Sequence, residues 1–376
     1  MSDLADRVRA RLAVEGGTPT PARVVAALRD EGGGLRGDVE VLEVVRLVER
    51  EIIGAGPLAP LLADPLVTDV LVNGPDEVWV DRGTGLERQS IRFADDAAVR
   101  RLAVRLVAPT GRRLDDAQPW VDARLADGVR LHAVLPPVAS GGTCLSLRVP
   151  RRHAFSLEEL VAAGAAPEEG AELLSRLVAS HRAFLVSGGT GTGKTTLLSA
   201  LLSLCPPEHR LLLVEDSGEL LPAHPHVVRL ETRPANVEGA GEVSLRDLVR
   251  QALRMRPDRL VVGEVRGAEV VDLLAALNTG HEGGCGTVHA NSAVDVPARL
   301  EALAATAGLG REALHSQLAS ALSVVVHLAR GDRRRLAEVC VLRRDGDRVV
   351  AEPAWSWDGR SDPLRHRGFA LLTALL

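Results

Sequence analysis

One strand–loop–helix segment in the middle of the sequence constrains the fold more than any other part. An apolar run over Phe184–Ser187 leads into a glycine-rich turn over Gly188–Gly193, and an apolar stretch with helical spacing follows over Thr195–Leu204. Two more short apolar runs, Leu211–Glu215 and Leu260–Glu264, each end in an acid. Short buried strands that alternate with helices are typical of a parallel sheet covered on both faces. We therefore predict an α/β fold with a mostly parallel sheet, preceded by a small α+β domain.

The glycine-rich turn matches the phosphate-binding pattern G-x-x-x-x-G-K-T, with a strand before it and a helix after it. Its glycines let backbone N–H groups turn toward phosphates, and the helix contributes a positive N-terminus. Lys194 is expected to reach the β- and γ-phosphates of ATP, and Thr195 is expected to ligate Mg²⁺. Lys194 is the single lysine among the 45 Lys and Arg residues of the chain. The predicted nucleotide-binding residues are Gly188, Gly189, Thr190, Gly191, Thr192, Gly193, Lys194, Thr195 and Thr196.

Acids at the ends of two predicted strands are candidates for the metal and the attacking water. Glu264 follows Gly263, where an aspartate commonly precedes the glutamate, so another group must complete this environment. Glu215, Asp216 and Glu219 are the candidates, because they follow the neighbouring predicted strand. Alternatively, Glu215 and Asp216 cap the N-terminus of a helix. Glu264 and Thr195 are the predicted metal ligands.

Two histidines, His281 and His289, lie in the glycine-rich segment that follows Glu264. At this spacing they are candidates for sensing the γ-phosphate or for positioning water, although a lone histidine is more often structural. Metal binding by the two histidines is the weaker interpretation, because no third soft ligand lies close to them in the sequence.

The chain is too long for one comfortable core, which predicts two domains and short extensions. We predict a helical, partly mobile extension over residues 1–38, an α+β domain over 39–149, a linker over 150–158 and the P-loop domain over 159–376. A helix is expected over Val39–Ile53. In the first domain we predict a helix over Asp95–Val107 and strands over Val67–Val72, Glu77–Asp81, Arg88–Phe93, Trp120–Ala123, Arg130–Val134 and Cys144–Arg148.

Composition argues against strong nucleic-acid binding and against a membrane span. The formal net charge is −5 and aromatics are 2%, so the chain offers neither a strongly basic domain nor many platforms for base stacking. We interpret Arg333-Arg334-Arg335 as a solvated loop rather than a binding patch. The four cysteines lie far apart, so we expect neither zinc nor disulfides. Without a long apolar stretch, we expect a cytoplasmic protein that contacts the inner face of the membrane through partners.

Together these motifs resemble the type II/type IV secretion ATPase superfamily, and most closely its CpaF-like branch, which serves tight-adherence (Flp-type) pilus assembly. The resemblance spans roughly residues 40–330 in several motifs that occur in the family's order. Besides the P-loop, these are Val214–Leu220, Arg254–Arg259, Gly263–Gly267 and Gly280–Asn291 in the second domain, and Asp69–Gly74, Asp115–Pro119 and Asp122–Arg130 in the first. The tetracysteine motif of the zinc-binding branches is missing, which argues against those branches.

The resemblance implies a homo-hexameric ring whose subunits each join an N-terminal sensory-like domain to a RecA-like ATPase domain, with ATP between the two. It implies inner-membrane platform proteins of a pilus or secretion system as partners. By motif, Glu215, Asp216 and Glu219 correspond to the family's Asp box, Glu264 to its atypical Walker B acid, and His281 and His289 to its His box. Arg124 and Arg130 would reach the γ-phosphate, with Arg113 and Arg148 as weaker candidates. The implied catalytic set is Glu264, Glu215, His289, Arg124 and Arg130.

Each of these arginines could instead form a surface ion pair.

Three functions remain open from the sequence. The main hypothesis is a ring ATPase that converts ATP hydrolysis into domain motion for pilus assembly or secretion. The alternative is a DNA-translocating or helicase-like RecA-type ATPase, which DNA would stimulate. A third is a nucleotide switch without motor activity, which would turn over very slowly.

Overall fold

The computed structural model describes residues 54–376, apart from 84, 151–153, 234, 236–238 and 282, together with residues 11 and 26. The chain divides into two compact units, residues 1–152 and 153–376. The helix expected over Val39–Ile53 lies outside the described residues, as does nearly all of the extension expected over 1–38. The predicted domain boundaries therefore stay predictions.

The first unit is built on a six-stranded antiparallel sheet with the strand order β3-β2-β1-β6-β5-β4. Along β1 and β2, buried residues alternate with more exposed ones, so one face of the sheet is apolar. The buried residues of the longer helix of this unit, Asp96–Val107, pack against the buried residues of the strands in one hydrophobic cluster. The elements are α1 (Ala59–Ala63), β1 (Asp69–Asn73), β2 (Val78–Asp81), β3 (Leu86–Arg88), α2 (Asp96–Val107), β4 (Trp120–Arg124), β5 (Arg130–Val134) and β6 (Cys144–Arg148).

The sequence predicts most of these elements within one or two residues. Helix α2 begins where Asp95 accepts a hydrogen bond at 2.7 Å from the backbone amide of Ala98, which is an N-cap. The third predicted strand is wrong over Gln89–Phe93, because β3 ends at Arg88. The reason is the pairing register: Gln89 still donates a hydrogen bond at 2.8 Å to the carbonyl oxygen of Val78, but β2 begins at Val78 and offers no residue to pair with the segment after Gln89.

The second unit contains a nine-stranded sheet with the order β15-β14-β13-β12-β7-β11-β10-β8-β9. Its elements are α3 (Leu157–Ala162), α4 (Glu168–Ala179), β7 (Phe184–Gly188), α5 (Lys194–Ser203), β8 (Leu211–Glu215), β9 (Val227–Glu231), α6 (Leu245–Ala252), β10 (Arg259–Val265), α7 (Glu269–Leu277), β11 (Cys285–His289), α8 (Val296–Thr306), α9 (Arg311–Ala321), β12 (Val324–Arg330), β13 (Arg334–Asp345), β14 (Arg348–Ser356), β15 (Leu364–Arg365) and α10 (Phe369–Leu375).

The six strands from β12 to β9 in this order are parallel, as the apolar runs predict. Successive side chains of β7 enter different hydrophobic clusters: Phe184 and Val186 join one, and Leu185 joins the other. Both faces of the sheet are therefore covered, which explains why the central strands are apolar without alternation. All five residues of β7 are buried.

The last part of the sheet is antiparallel, and the sequence pattern does not predict it. Strands β12, β13, β14 and β15 pair in succession as antiparallel neighbours. The expected solvated loop over Arg333–Arg335 is wrong for two of its residues, because Arg334 and Arg335 begin β13. Arg334 lies directly opposite Arg330 at the end of β12, so the run forms one arm of a hairpin.

In the described part of the chain, no helix is long and apolar enough to cross a membrane.

Candidate nucleotide-binding site

The glycine-rich loop lies at the carboxyl edge of the parallel strands, between β7 and α5. Gly188 ends β7 with φ 154°, and a Cβ there would lie 2.6 Å from the carbonyl oxygen of Leu328 and 2.7 Å from Oγ1 of Thr192. Only glycine fits this close approach. Gly193 has φ 96° and forms the N-cap of α5, so the helix N-terminus opens onto the loop. The loop therefore has the backbone cradle and the helix dipole that bind phosphate.

Lys194, the first residue of α5, is 8% exposed and folds back onto the loop. Its Nζ donates hydrogen bonds to the carbonyl oxygens of Gly188 at 3.1 Å and Gly189 at 2.9 Å. Burial lowers the pKa of Lys194, although the nearby Glu264 and Glu219 carboxylates favour its charged form. The ammonium is thus held in a partly dry site by neutral oxygens, where an anionic ligand would stabilise it strongly.

His289 connects Lys194 to Glu264. The pairing of β11 with β7 places His289 opposite Gly188, at the base of the loop. Nε2 of His289 lies 3.4 Å from Nζ of Lys194 and 3.0 Å from Oε1 of Glu264. Burial lowers the pKa of His289, and the neighbouring Lys194 charge lowers it further. The ring is therefore neutral at pH 7. Its Nε2 can carry a proton and donate to Glu264, or lack the proton and accept from Lys194, but it cannot do both at the same time.

Glu215 ends β8, and its buried side chain explains the glycine before Glu264. A Cβ on Gly263 would lie 2.7 Å from Cγ of Glu215. Oε1 of Glu215 accepts hydrogen bonds from the backbone amides of Glu219 at 2.8 Å and Leu220 at 2.9 Å. Its Oε2 has no hydrogen-bond partner among the described residues. Burial raises the pKa of Glu215.

The two other acids of this region, Asp216 and Glu219, follow β8 in an irregular segment. Asp216 forms an ion pair with Arg266, which follows β10. The alternative interpretation of Glu215 and Asp216 as helix caps is wrong, because no helix begins in residues 216–226, all of which the structure describes. Instead, Glu215 caps the backbone of the loop that carries Glu219.

The structure separates the two histidines of the glycine-rich segment. His289 ends β11 at the loop, whereas His281 precedes β11 and therefore lies at the opposite, amino edge of the sheet. The glycines between them serve packing: a Cβ on Gly284 would lie 2.4 Å from Leu277, and one on Gly286 would lie 2.6 Å from the Val262 carbonyl oxygen. His281 therefore cannot act at the same place as His289.

Sequence reasoning missed His327, which lies on β12 beside the loop. Its Nδ1 is 2.9 Å from Oγ of Ser187, and the residue is 7% exposed. Burial lowers the pKa of His327, and the positive charge of Lys194 acts in the same direction. A histidine inside the apolar run Val324–Leu328 was the signal that could have identified it.

The predicted arginines lie in the first unit. Arg124 ends β4 and Arg130 begins β5, and the two are opposite each other in the sheet. Arg113 forms an ion pair with Asp115, and Arg148 lies 3.3 Å from Asp69. The role of these arginines at a γ-phosphate stays a prediction.

A glycine-rich phosphate loop beside strand-end acids, at the carboxyl edge of a parallel sheet, defines a RecA-like ATPase. The chain belongs to the family described as Type II/IV secretion system protein, whose model matches residues 51–356. The predicted membership in the type II/type IV secretion ATPase superfamily is thereby confirmed, while the CpaF-like branch stays a prediction.

Named relatives agree with this family. The chain is 61% identical over 335 residues to a "putative conjugal transfer protein" of Mycobacterium tuberculosis. The aligned region covers 87% of this chain and 95% of the relative. It is 33% identical to the type IV secretion system protein PtlH of Bordetella pertussis, over 77% of this chain and 94% of the relative.

Two solved structures share the fold. The pilus retraction motor PilT with bound ADP matches with a TM-score of 0.58 and 21% identity, covering 77% of this chain and 83% of PilT. The ATPase DotB of Legionella pneumophila matches with a TM-score of 0.53 and 18% identity, covering 76% of this chain and 79% of DotB.

Proposed function

We propose that this chain is an ATP-hydrolysing motor that drives pilus assembly or secretion, with ATP bound by residues 188–196. The observation that carries the proposal is the contact from Lys194 through His289 to Glu264 at the base of the loop, with distances of 3.4 Å and 3.0 Å. This contact joins Lys194, which would hold the phosphates, to Glu264, which would act on water. Relatives named for conjugal transfer and for type IV secretion support a transport role.

The first step concerns Lys194. On binding ATP, its ammonium exchanges the carbonyl oxygens of Gly188 and Gly189 for phosphate oxygens, which carry full negative charge and bind it more strongly. The backbone amides of the loop and the N-terminus of α5 hold the remaining phosphate oxygens. The buried, partly dry position of Lys194 strengthens these contacts.

The second step concerns His289. Once the ammonium turns to the phosphates, the neutral ring is left to donate its Nε2–H to Glu264. Glu264 is then fixed beside the loop, where it orients the attacking water, and His289 reports the presence of the γ-phosphate through Lys194. Glu215 accepts hydrogen bonds from the backbone amides of Glu219 and Leu220 and so holds the loop that carries Glu219 in place. Arg124 and Arg130 are proposed to contribute positive charge to the γ-phosphate during transfer.

Thr195 and Glu264 would hold Mg²⁺, which supplies neutralisation of the phosphate charge. Within the described residues, no group of three or more His, Cys, Asp or Glu side chains could hold a metal ion. The hydroxyl and carboxylate here still suit Mg²⁺, because this ion keeps several waters and takes phosphate oxygens as ligands. We further propose a homo-hexamer that works with inner-membrane platform proteins. A mass measurement with a slowly hydrolysed ATP analogue tests the hexamer.

The decisive experiment measures ATP binding and hydrolysis by the purified chain with and without Mg²⁺. Lys194→Ala is expected to abolish binding, and Glu264→Gln is expected to retain bound ATP while hydrolysis is lost. Glu208→Gln is the matched control, because it removes the same charge from an exposed position before β8. Normal hydrolysis by either site variant would refute the proposal. Stimulation of the wild type by DNA would instead favour the DNA-translocating alternative.

A further inference from the structure

Helix α5, which follows the phosphate loop, carries two serines, Ser199 and Ser203, one turn apart on the same face. Ser199 is 5% exposed, and Ser203 is half-buried. Serine is a weaker helix former than the leucines around these two positions, because its hydroxyl competes for backbone hydrogen bonds. Two hydroxyls on the covered side of an apolar helix are favourable only when they form hydrogen bonds.

Each hydroxyl connects α5 to the loop between β8 and β9. Oγ of Ser199 donates to the carbonyl oxygen of Thr195 at 2.8 Å, and Oγ of Ser203 donates to that of Ser199 at 2.9 Å. The same two oxygens also accept hydrogen bonds from the loop, from the amide of Leu221 at 3.0 Å and from that of Ala223 at 2.9 Å. The first connection therefore runs from the loop to the backbone of Thr195, the predicted metal ligand.

Side chains accept every amide hydrogen of one segment of this loop. Residues 219–223, all described by the structure, form neither strand nor helix, so their amides need other acceptors. Pro222 has no N–H. The amides of Glu219 and Leu220 donate to Glu215, and the other two amides donate to the serines of α5. The end of β8 and helix α5 thus hold the segment between them.

This segment begins with Glu219, whose carboxylate acts on the phosphate loop. Burial lowers the pKa of Lys194, and the carboxylates of Glu264 and Glu219 act against that shift. Glu219 is exposed, so the hydrogen bonds of its segment determine where its carboxylate lies. The sequence makes Glu219 a candidate for completing the environment of the metal and the attacking water, because Gly263 stands where an aspartate commonly precedes the glutamate.

We propose that Ser199 and Ser203 are positioning residues, which hold Glu219 at a fixed place relative to α5 so that its carboxylate can orient water beside the phosphates. This inference rests on the proposed function, because it assigns support to the same site. A group that acts on a proton or a water must lie within hydrogen-bond reach of it. A displacement of about 1 Å can lower the rate by about a hundredfold. Glu215 holds the start of the segment, and the two serines hold the rest of it to the helix that bears Lys194.

The test compares Ser199→Val with Ser199→Thr in the full chain. The two side chains have nearly the same shape, but only threonine keeps the hydroxyl. Ser199→Val is expected to lower kcat for Mg-ATP about tenfold, and Ser199→Thr is expected to keep the wild-type kcat. The Kd of a slowly hydrolysed ATP analogue, measured by calorimetry, should be unchanged in both variants, because the phosphate loop is intact.

The matched control is Ser175→Val in α4. Its hydroxyl donates the same kind of hydrogen bond, to the carbonyl oxygen of Ala171 at 2.9 Å, in a helix that does not carry the phosphate loop. This variant should keep the wild-type kcat. If Ser199→Val keeps it too, or if Ser199→Thr loses as much activity as Ser199→Val, the positioning role is refuted.

A double-mutant cycle separates positioning of Glu219 from general support of the fold. Glu219→Gln is expected to lower kcat, and adding Ser199→Val to it should change kcat by less than about twofold. If Ser199→Val does not fold, Ser203→Ala takes its place in the same cycle. An equal loss in both backgrounds, or a wild-type kcat in Glu219→Gln, overturns the inference, while the outcomes for Lys194→Ala and Glu264→Gln still decide the proposed function. If the wild type hydrolyses no ATP, the proposed function fails and the positioning role fails with it.

Discussion

Replacing Gly263 with alanine tests why a glycine precedes Glu264. The new Cβ would lie 2.7 Å from Cγ of Glu215 and 3.2 Å from its Oε1. Carbon atoms in contact prefer about 3.5–4.0 Å, so the Glu215 side chain must move by about 1 Å. That shift breaks or stretches its hydrogen bonds from the amides of Glu219 and Leu220, which are 2.8 Å and 2.9 Å long.

The magnitude follows from these contacts. Overpacking costs about 1–3 kcal/mol, and a buried amide left without its acceptor costs about 1–3 kcal/mol. Because part of the clash is relieved when the hydrogen bonds break, we expect Gly263→Ala to lower the free energy of unfolding by about 2–4 kcal/mol. The assay is urea unfolding of the full chain followed by circular dichroism, together with ATP hydrolysis, which should also fall.

A double-mutant cycle identifies the cause. In a Glu215→Ala background the clashing atoms are absent, so adding Gly263→Ala should change the free energy of unfolding by no more than about 0.5 kcal/mol. Gly310→Ala is the control, because nothing lies within 4 Å of its added Cβ. If Gly263→Ala costs the same in both backgrounds, contact with Glu215 is not the reason for this glycine.

Three further predictions concern the same region. Because burial raises the pKa of Glu215, the folded state disfavours its charged form, and the wild type loses stability as pH rises above 4.5. Glu215→Gln cannot ionise, so its stability relative to the wild type should increase over the same pH range. Urea unfolding at a series of pH values measures this difference. Because burial lowers the pKa of His289, the free energy of unfolding should fall as pH drops below 6.5. If the dependence of this free energy on pH is the same in His289→Asn as in the wild type, the prediction is contradicted. Gly188→Ala should lower nucleotide affinity at least tenfold by isothermal calorimetry, since its Cβ would lie 2.6 Å from the Leu328 carbonyl oxygen; wild-type affinity would show that the cradle tolerates a side chain.

The parts of the fold that local sequence determines were predictable. The strand–loop–helix unit depends on adjacent residues, so Phe184–Ser187, the glycines and α5 lie where the pattern indicates. The sequence also indicates that Glu215 and Glu264 end neighbouring strands, and β8 and β10 are adjacent. The antiparallel strands after β12 were not predicted, because their pairing depends on contacts between segments rather than on a periodic apolar pattern.

The candidate site shows the same division. Gly263 is visible in the sequence as an unusual residue, but its reason is a contact with Glu215, 48 positions earlier. The segment with His281 and His289 looks continuous, yet a five-residue strand separates the two side chains to opposite edges of the sheet.

The single lysine has a practical consequence for chemistry on this protein. Amine-directed reagents have one side-chain target in the whole chain, apart from the amino terminus, and that target is the buried cation of the loop. Because burial lowers the pKa of Lys194, its neutral, nucleophilic form is more populated than that of an ordinary lysine at the same pH. Acylation followed by mass spectrometry would therefore report the occupancy of the phosphate loop directly, with no other lysine to obscure the signal.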